Sequence, residues 1–140
     1  MTLSLTLALL RQIGQQGEGA YPEETAGFLL GQEGDERIVQ DIVPVQNARD
    51  ERSRHNRYLI GTHDYLRAEL QAEKQGMDVV GIYHSHPDHP ERPSEHDREW
   101  AQPNLSYLIT NITAGKPGTS RSWRLLEDRS GFAQEEIRIT

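Results

Sequence analysis

The segment Asp78 to Tyr83 is a nearly continuous apolar run that ends in His84-Ser85-His86-Pro87. It is short, carries β-branched residues and is closed by a proline. Those features fit a strand buried on both faces better than a helix. It therefore predicts the central strand of a sheet with further layers packed against it. The same strand delivers two imidazoles. Residues two apart on a strand point to one side, so His84 and His86 are placed to share one ion. With zinc the bonds would be ~2.0–2.1 Å long. Asp97, farther along, can complete a three-ligand set. Three protein ligands leave one position open for water, the usual pattern of a catalytic site.

The rest of the chain supplies the layers. Ser4 to about Gln16 reads as a helix with Leu7, Leu10 and Ile13 facing the core; Gly14, Gly17 and Gly19 weaken its end and Pro22 closes the connection. Thr25 to Gly31 predicts a buried strand and Arg37 to Val45 the next one, joined as a hairpin through Glu33-Gly34-Asp35. Tyr58 to Ile60 reads as a brief strand. Thr62 is a candidate N-cap with Asp64 in the first turn. That helix runs to about Gln75, burying Leu66 and Leu70, and Gly76 ends it. Ser94-Glu95-His96-Asp97 has the form of a capping box opening a short helix to about Ala101. Leu105 to Ile112, Ser122 to Leu126 and Glu135 to Ile139 predict three further strands. Trp100 and Tyr107 read as core or packing residues rather than binding ones, and His89 and His96 as solvent-exposed. There is no repeat, low-complexity tract or linker, so residues 1–140 read as one α/β domain, a mixed sheet packed by helices.

Composition narrows the chemistry. No cysteine is present, which excludes disulfides, a thiol nucleophile and thiolate zinc sites. It also removes the Pro-Cys-x-x-Cys half of the zinc deaminase signature. Any metal must be held by His, Asp or Glu, a donor set that suits zinc among other divalent ions. Fifteen basic residues against 22 acidic ones give a formal charge of -7, which argues against a general nucleic-acid or anionic-membrane binder. No apolar run approaches the ~20 residues needed to cross a bilayer. Met1 to Leu10 is apolar but lacks the basic lead and small-residue cleavage site of a signal peptide. Leu3, Leu7 and Leu10 instead fit one face of an amphipathic helix, and a cytoplasmic location is expected. Gln46 to Arg57, with Arg49, Arg52, Arg54 and Arg57, is the one locally basic stretch. It reads as a solvated loop that could also dock an acidic partner.

Each chemical feature has a bland counterpart. A histidine at a strand end is often a polar terminator, and Asp97 could act only as the acid of a capping box. The combination with an acid far upstream separates the two accounts. Pro22-Glu23-Glu24-Thr25-Ala26-Gly27, then His84-Ser85-His86-Pro87, then Ser94-Glu95-His96-Asp97 together resemble the JAMM motif of the MPN-domain zinc metalloproteases. The family pattern has a glutamate at a strand start, His-Ser/Thr-His, seven residues, a serine, two residues and an aspartate. Pro87 to Pro93 are the seven. The one departure is Ala26, where many relatives carry cysteine before the glycine.

That resemblance, to small standalone bacterial members in particular, implies a single MPN (JAB-like) domain. Its curved mixed β-sheet between helices is like that of cytidine deaminases. It implies one zinc per chain held by His84, His86 and Asp97, with Glu24 acting on the bound water as general base and Ser94 steadying the oxyanion. Glu23 is adjacent, but strand alternation lets only one of the two face the site, and Pro-x-Glu-x-x-Gly points to Glu24. The implied activity is cleavage of an amide bond after the C-terminal glycines of a ubiquitin-like or sulfur-carrier protein. A Gly-Gly tail would suit a narrow site and could add as a strand beside the sheet. Two alternatives stay open on the residues alone: a zinc hydrolase acting on small peptides, and a non-catalytic MPN scaffold. The sequence names neither the carrier nor the oligomeric state.

Overall fold

The computed structural model describes residues 1–45 and 60–140. The basic stretch 46–57, and Tyr58 and Leu59 of the expected brief strand, lie outside the described residues. Among the described residues the order is β1 (Thr2–Leu5), α1 (Leu7–Ala20), β2 (Ala26–Gln32), β3 (Glu36–Val45), α2 (Thr62–Lys74), β4 (Asp78–Pro87), α3 (Glu95–Trp100), β5 (Ser106–Thr113), β6 (Lys116–Leu125) and β7 (Phe132–Ile139). Ile60 is described and lies outside any strand. No described helix is long and apolar enough to cross a membrane.

The sheet is mixed, as expected, but it closes on itself in the order β1-β3-β2-β4-β5-β6-β7. The closing strand is β1, where a helix was expected. Thr6 accepts from Leu9 N at 3.1 Å through its side chain, so the helix cannot begin before Leu7. Thr2–Leu5 instead pairs in parallel with both β3 and β7, which buries Leu3 and Leu5 in the sheet, and Leu7 is left 43% exposed. The glycines do not end α1 early. A Cβ on Gly17 would lie 2.7 Å from Ile112 Cδ1, and one on Gly14 would lie 3.2 Å from Pro117 Cβ. Both residues let the helix lie close against β5 and β6.

β4 is the central strand its sequence predicts, antiparallel to β2 and parallel to β5. Its alternation divides two cores. Tyr83 belongs with Leu3, Leu5, Ile13, Leu29 and Leu108 beneath α1. Ile82 belongs with Ala26, Phe28, Ala68, Ala72 and Tyr107 beneath α2 and α3. On α2, Gly61 rather than Thr62 is the N-cap, and Asp64 accepts from its N–H at 3.0 Å. The buried face of α2 is Ala68 and Ala72, while Leu66 and Leu70 are 53% and 50% exposed, contrary to expectation. Two alanines one turn apart let the helix approach the sheet closely, and the leucines fall on the adjacent face. Gly76, at φ +68°, ends the connection as expected.

Candidate metal centre

The centre sits where β4 meets the residues just before β2. In the antiparallel ladder Ala26 stands opposite His84. The ladder is extended one step beyond β2, where Ser85 N donates to Thr25 O at 3.0 Å and Thr25 N donates to Ser85 Oγ at 2.8 Å. Thr25 Oγ1 also reaches Ser85 Oγ at 3.1 Å. Ser85 thus points away from the histidines and anchors the backbone that carries Glu24. Glu24, His84 and His86 are all buried, and one ligand atom from each lies within 4.8 Å of the others, a group that could hold a metal ion. Glu23 is only half-buried and has no place in that group.

α3 brings the fourth group. Ser94 is the N-cap, its Oγ accepting from Asp97 N at 3.0 Å. Asp97 Oδ2 accepts from Ser94 N at 2.8 Å, which closes the capping box that the sequence predicts. The same Oδ2 lies 3.1 Å from His86 Nε2, and Oδ1 lies 3.4 Å from His84 Nε2. The two imidazole Nε2 atoms are 3.1 Å apart. His86 Nδ1 is 2.7 Å from Pro90 O. A carbonyl only accepts, so the proton is on Nδ1, and in the neutral ring Nε2 presents a lone pair. That lone pair faces a carboxylate and a second imidazole, an arrangement that calls for a cation between them.

Electrostatics agree. Complete burial drives the His84 pKa down, outweighing the pull of Asp97, so the ring is held neutral as a ligand must be. Burial alone would raise the Asp97 pKa. The polar contacts of its oxygens with His84 and His86 overcome it and hold the carboxyl below the usual range. The donor chemistry therefore fits a divalent metal. Tetrahedral zinc with bonds of ~2.0–2.1 Å spaces its ligands about 3.3 Å apart, and the three contacts around Asp97, His84 and His86 run from 3.1 to 3.4 Å.

The loop from Asp88 to Pro93 folds α3 back over the strand, and it is held at several points. Asp88 accepts from Ala114 N at 2.8 Å and from Tyr21 OH at 2.5 Å. Asn111 Nδ2 donates to His89 O, and Trp123 Nε1 donates to Glu91 O. These contacts lay beyond the sequence, because they join residues 22 to 67 positions apart. The buried Ser85 was legible only as the middle of His-x-His, whose side chain must point opposite to both histidines. Two expectations nearby are corrected. Trp100, the last residue of α3, is 56% exposed rather than core. It stands at the rim of a 320 Å³ pocket with Ile60, Tyr65, Ile82 and Tyr107. His96 is half-buried with its ring 5.8 Å from that of Trp100, whereas His89 is exposed and Tyr107 is core, as expected.

Fold and centre together define an α/β domain built to present two histidines and two acids in one buried cluster. The chain belongs to the prokaryotic homologs of the JAB domain, whose family model matches residues 6–126. Among its relatives is a protein of Haloferax volcanii named desampylase, 34% identical over 103 residues, 73% of this chain and 72% of that one. Another is a probable TtuB-protein conjugate cleaving protease of Thermus thermophilus, 32% identical over 88 residues. That match covers 63% of this chain but only 55% of the Thermus protein. The solution structure of a protein from Desulfitobacterium hafniense superposes with a TM-score of 0.85 at 31% identity, over 99% of this chain and 92% of that one.

Proposed function

We propose that this protein is a cytoplasmic zinc-dependent isopeptidase. Its reaction is hydrolysis of an amide bond after the C-terminal glycines of a ubiquitin-like or sulfur-carrier protein. The observation that carries the reading is the buried convergence of Glu24, His84 and His86 with both Asp97 oxygens at hydrogen-bond range of the imidazoles. The relatives' names, a desampylase and a protease for TtuB conjugates, support the substrate class.

In this reading His84, His86 and Asp97 would hold one zinc, which when bound would supply an acidified water and a Lewis acid for the carbonyl. Glu24 lies near enough to share the cluster, and its carboxylate works as the base. It takes a proton from the attacking water and returns it to the departing amine. Ser94 spends one hydroxyl lone pair on Asp97 N, and its hydrogen is directed to the carbonyl oxygen as negative charge develops. His86 is kept in one tautomer and orientation by Pro90 O.

The test uses the intact protein and Glu24→Gln, each loaded with zinc and freed of excess. Metal content is read per chain, and hydrolysis is read on a carrier protein whose Gly-Gly tail is joined to a lysine or a short peptide. The expected result is one zinc in both proteins and a rate lower by about 10²–10⁴ in the variant. Near-normal hydrolysis by Glu24→Gln would refute its role. A wild type that cuts short peptides but leaves the carrier intact would refute the substrate class.

A further inference from the structure

The sheet closes, but not along its whole length. β6 pairs with β5 from Lys116 to Arg124, whereas its ladder with β7 covers only Ser122 to Leu125. Beyond that point β7 turns its ladder to β1, through Glu136 to Ile139. Residues 116–121 therefore have a strand neighbour on one side only, among the described residues. A free edge of six residues is about 20 Å long, and its backbone polar groups form a template for another strand.

Under that split lies a groove of 510 Å³. Leu7, Leu10 and Arg11 of α1 form one wall, and Ile137 and Ile139 of β7 form another. Leu7 and Ile139 are 43% and 51% exposed, in a chain whose exposed surface is otherwise rich in acids. The groove also lies on the side of the sheet away from the histidines. Thr110, which lines it, stands opposite Ser85, the residue whose side chain points away from the centre.

Charge decides what fits. Among the described residues the one charged side chain lining the groove is Arg11; Lys116 stands at one end of the free edge and Arg121, paired with Glu91 at 3.3 Å, at the other. Among the described residues no carboxylate lines it, although the chain carries a net charge of -7. A second copy pairing edge to edge about a two-fold axis centred on the segment would set Lys116 against Arg121, a like-charge cross-strand pair that opposes association. We infer that the split between β6 and β7 is a docking slot for an extended acidic segment of another protein. It adds as a strand to residues 116–121, seats alternate apolar side chains on Leu7, Leu10, Ile139 and the aliphatic stem of Arg11, and turns its carboxylates to the other face, toward Lys116. The site is separate from the metal centre and does not depend on the reaction proposed for it.

The probe is a dye-labelled hexapeptide of alternating valine and glutamate, followed by fluorescence anisotropy against the full chain. Amide hydrogen exchange at residues 118–121 is read in the same complex. Saturable binding is expected, with slowed exchange on the free edge. It should weaken by about tenfold when glutamate is replaced by lysine in the peptide, and vanish when the peptide's alternate amides are N-methylated. Leu7→Glu with Arg11→Glu should weaken it comparably. Both positions are exposed on α1, and an acid at Leu7 in the first turn favours the helix, so the variant keeps its thermal transition. Three results would overturn the inference. They are no saturation by the valine–glutamate peptide, equal binding of the lysine or N-methylated peptides, and a concentration-dependent dimer in sedimentation that the Leu7/Arg11 variant abolishes.

Discussion

Replacing Ser85 by alanine should cost more than a buried hydroxyl usually does. Ser85 Oγ accepts from Thr25 N at 2.8 Å and from Thr25 Oγ1 at 3.1 Å, and both residues are buried. Alanine leaves the Thr25 N–H in the interior without that acceptor, a penalty of about 1–3 kcal/mol, and removes a second bond worth about 1 kcal/mol. The loss in unfolding free energy is then about 2.5 kcal/mol. An unfolding entropy of about 2.1 cal/mol/K per residue over 140 residues turns this into a fall of about 8 °C in Tm. Urea denaturation measures it, with Thr25→Val as the comparison. Valine removes the hydroxyl but keeps the backbone donor paired, so it should cost about 1 kcal/mol. Because Thr25 adjoins Glu24, Ser85→Ala should also slow hydrolysis while its zinc content stays unchanged. A loss below about 0.5 kcal/mol, or equal losses in the two variants, would refute the claim that Ser85 anchors this backbone.

Gly27→Ala would place its Cβ 2.3 Å from Cε2, Cζ and the hydroxyl oxygen of Tyr83, which is fully buried and bonded to Gln16. The expected loss is about 3 kcal/mol by overpacking, read by urea midpoint. High pH should also destabilise the protein. Burial raises the pKa of Tyr65 to about 12 and pushes Tyr83 and Tyr107 up as well. Above pH ~10 the unfolded chain therefore releases protons that the folded one keeps. Stability is full below pH ~10 and falls as pH rises toward the folded values, at up to ~1.4 kcal/mol per pH unit for each fully buried tyrosine and less for the partly exposed Tyr65. Urea midpoints at pH 9 and 11 that coincide would contradict this. Ser94→Asp keeps an N-cap acceptor but has no proton to donate, so Tm should hold within about 2 °C while hydrolysis drops by ~10²-fold or more. Ser94→Ala should lower both.

What the sequence makes visible follows from range. β4 was readable because a run buried on both faces leaves an uninterrupted apolar signal. The α3 cap was readable because Ser94 and Asp97 satisfy each other within one turn. β1 was hidden. Four residues with Leu3 and Leu5 read equally well as the start of a helical stripe, and only pairing with β3 and β7, remote in sequence, makes them a strand. Leu66 and Leu70 misled for a related reason. The largest apolar residues suggest the buried face, yet the sheet selects Ala68 and Ala72 because small side chains allow closer approach.

At the centre, the residue types and spacing were legible, but the compatibility of their roles was not. From sequence, capping and metal ligation compete for Asp97, and capping and oxyanion support compete for Ser94. The geometry removes the first conflict. A carboxylate has two oxygens and about four acceptor positions. Oδ2 serves Ser94 N and faces His86, while Oδ1 faces His84. For Ser94 the distinction is between lone pair and proton: the cap uses Oγ only as an acceptor, so its hydrogen is free for another partner. The cap thus fixes both side chains at the end of α3 before any substrate arrives, and a helix of six residues becomes a rigid mount for two of the five residues in the motif. The second mount is Ser85 with Thr25, which holds Glu24 against the strand of the histidines. Loosening either should move an acid relative to the imidazoles without changing a single ligand.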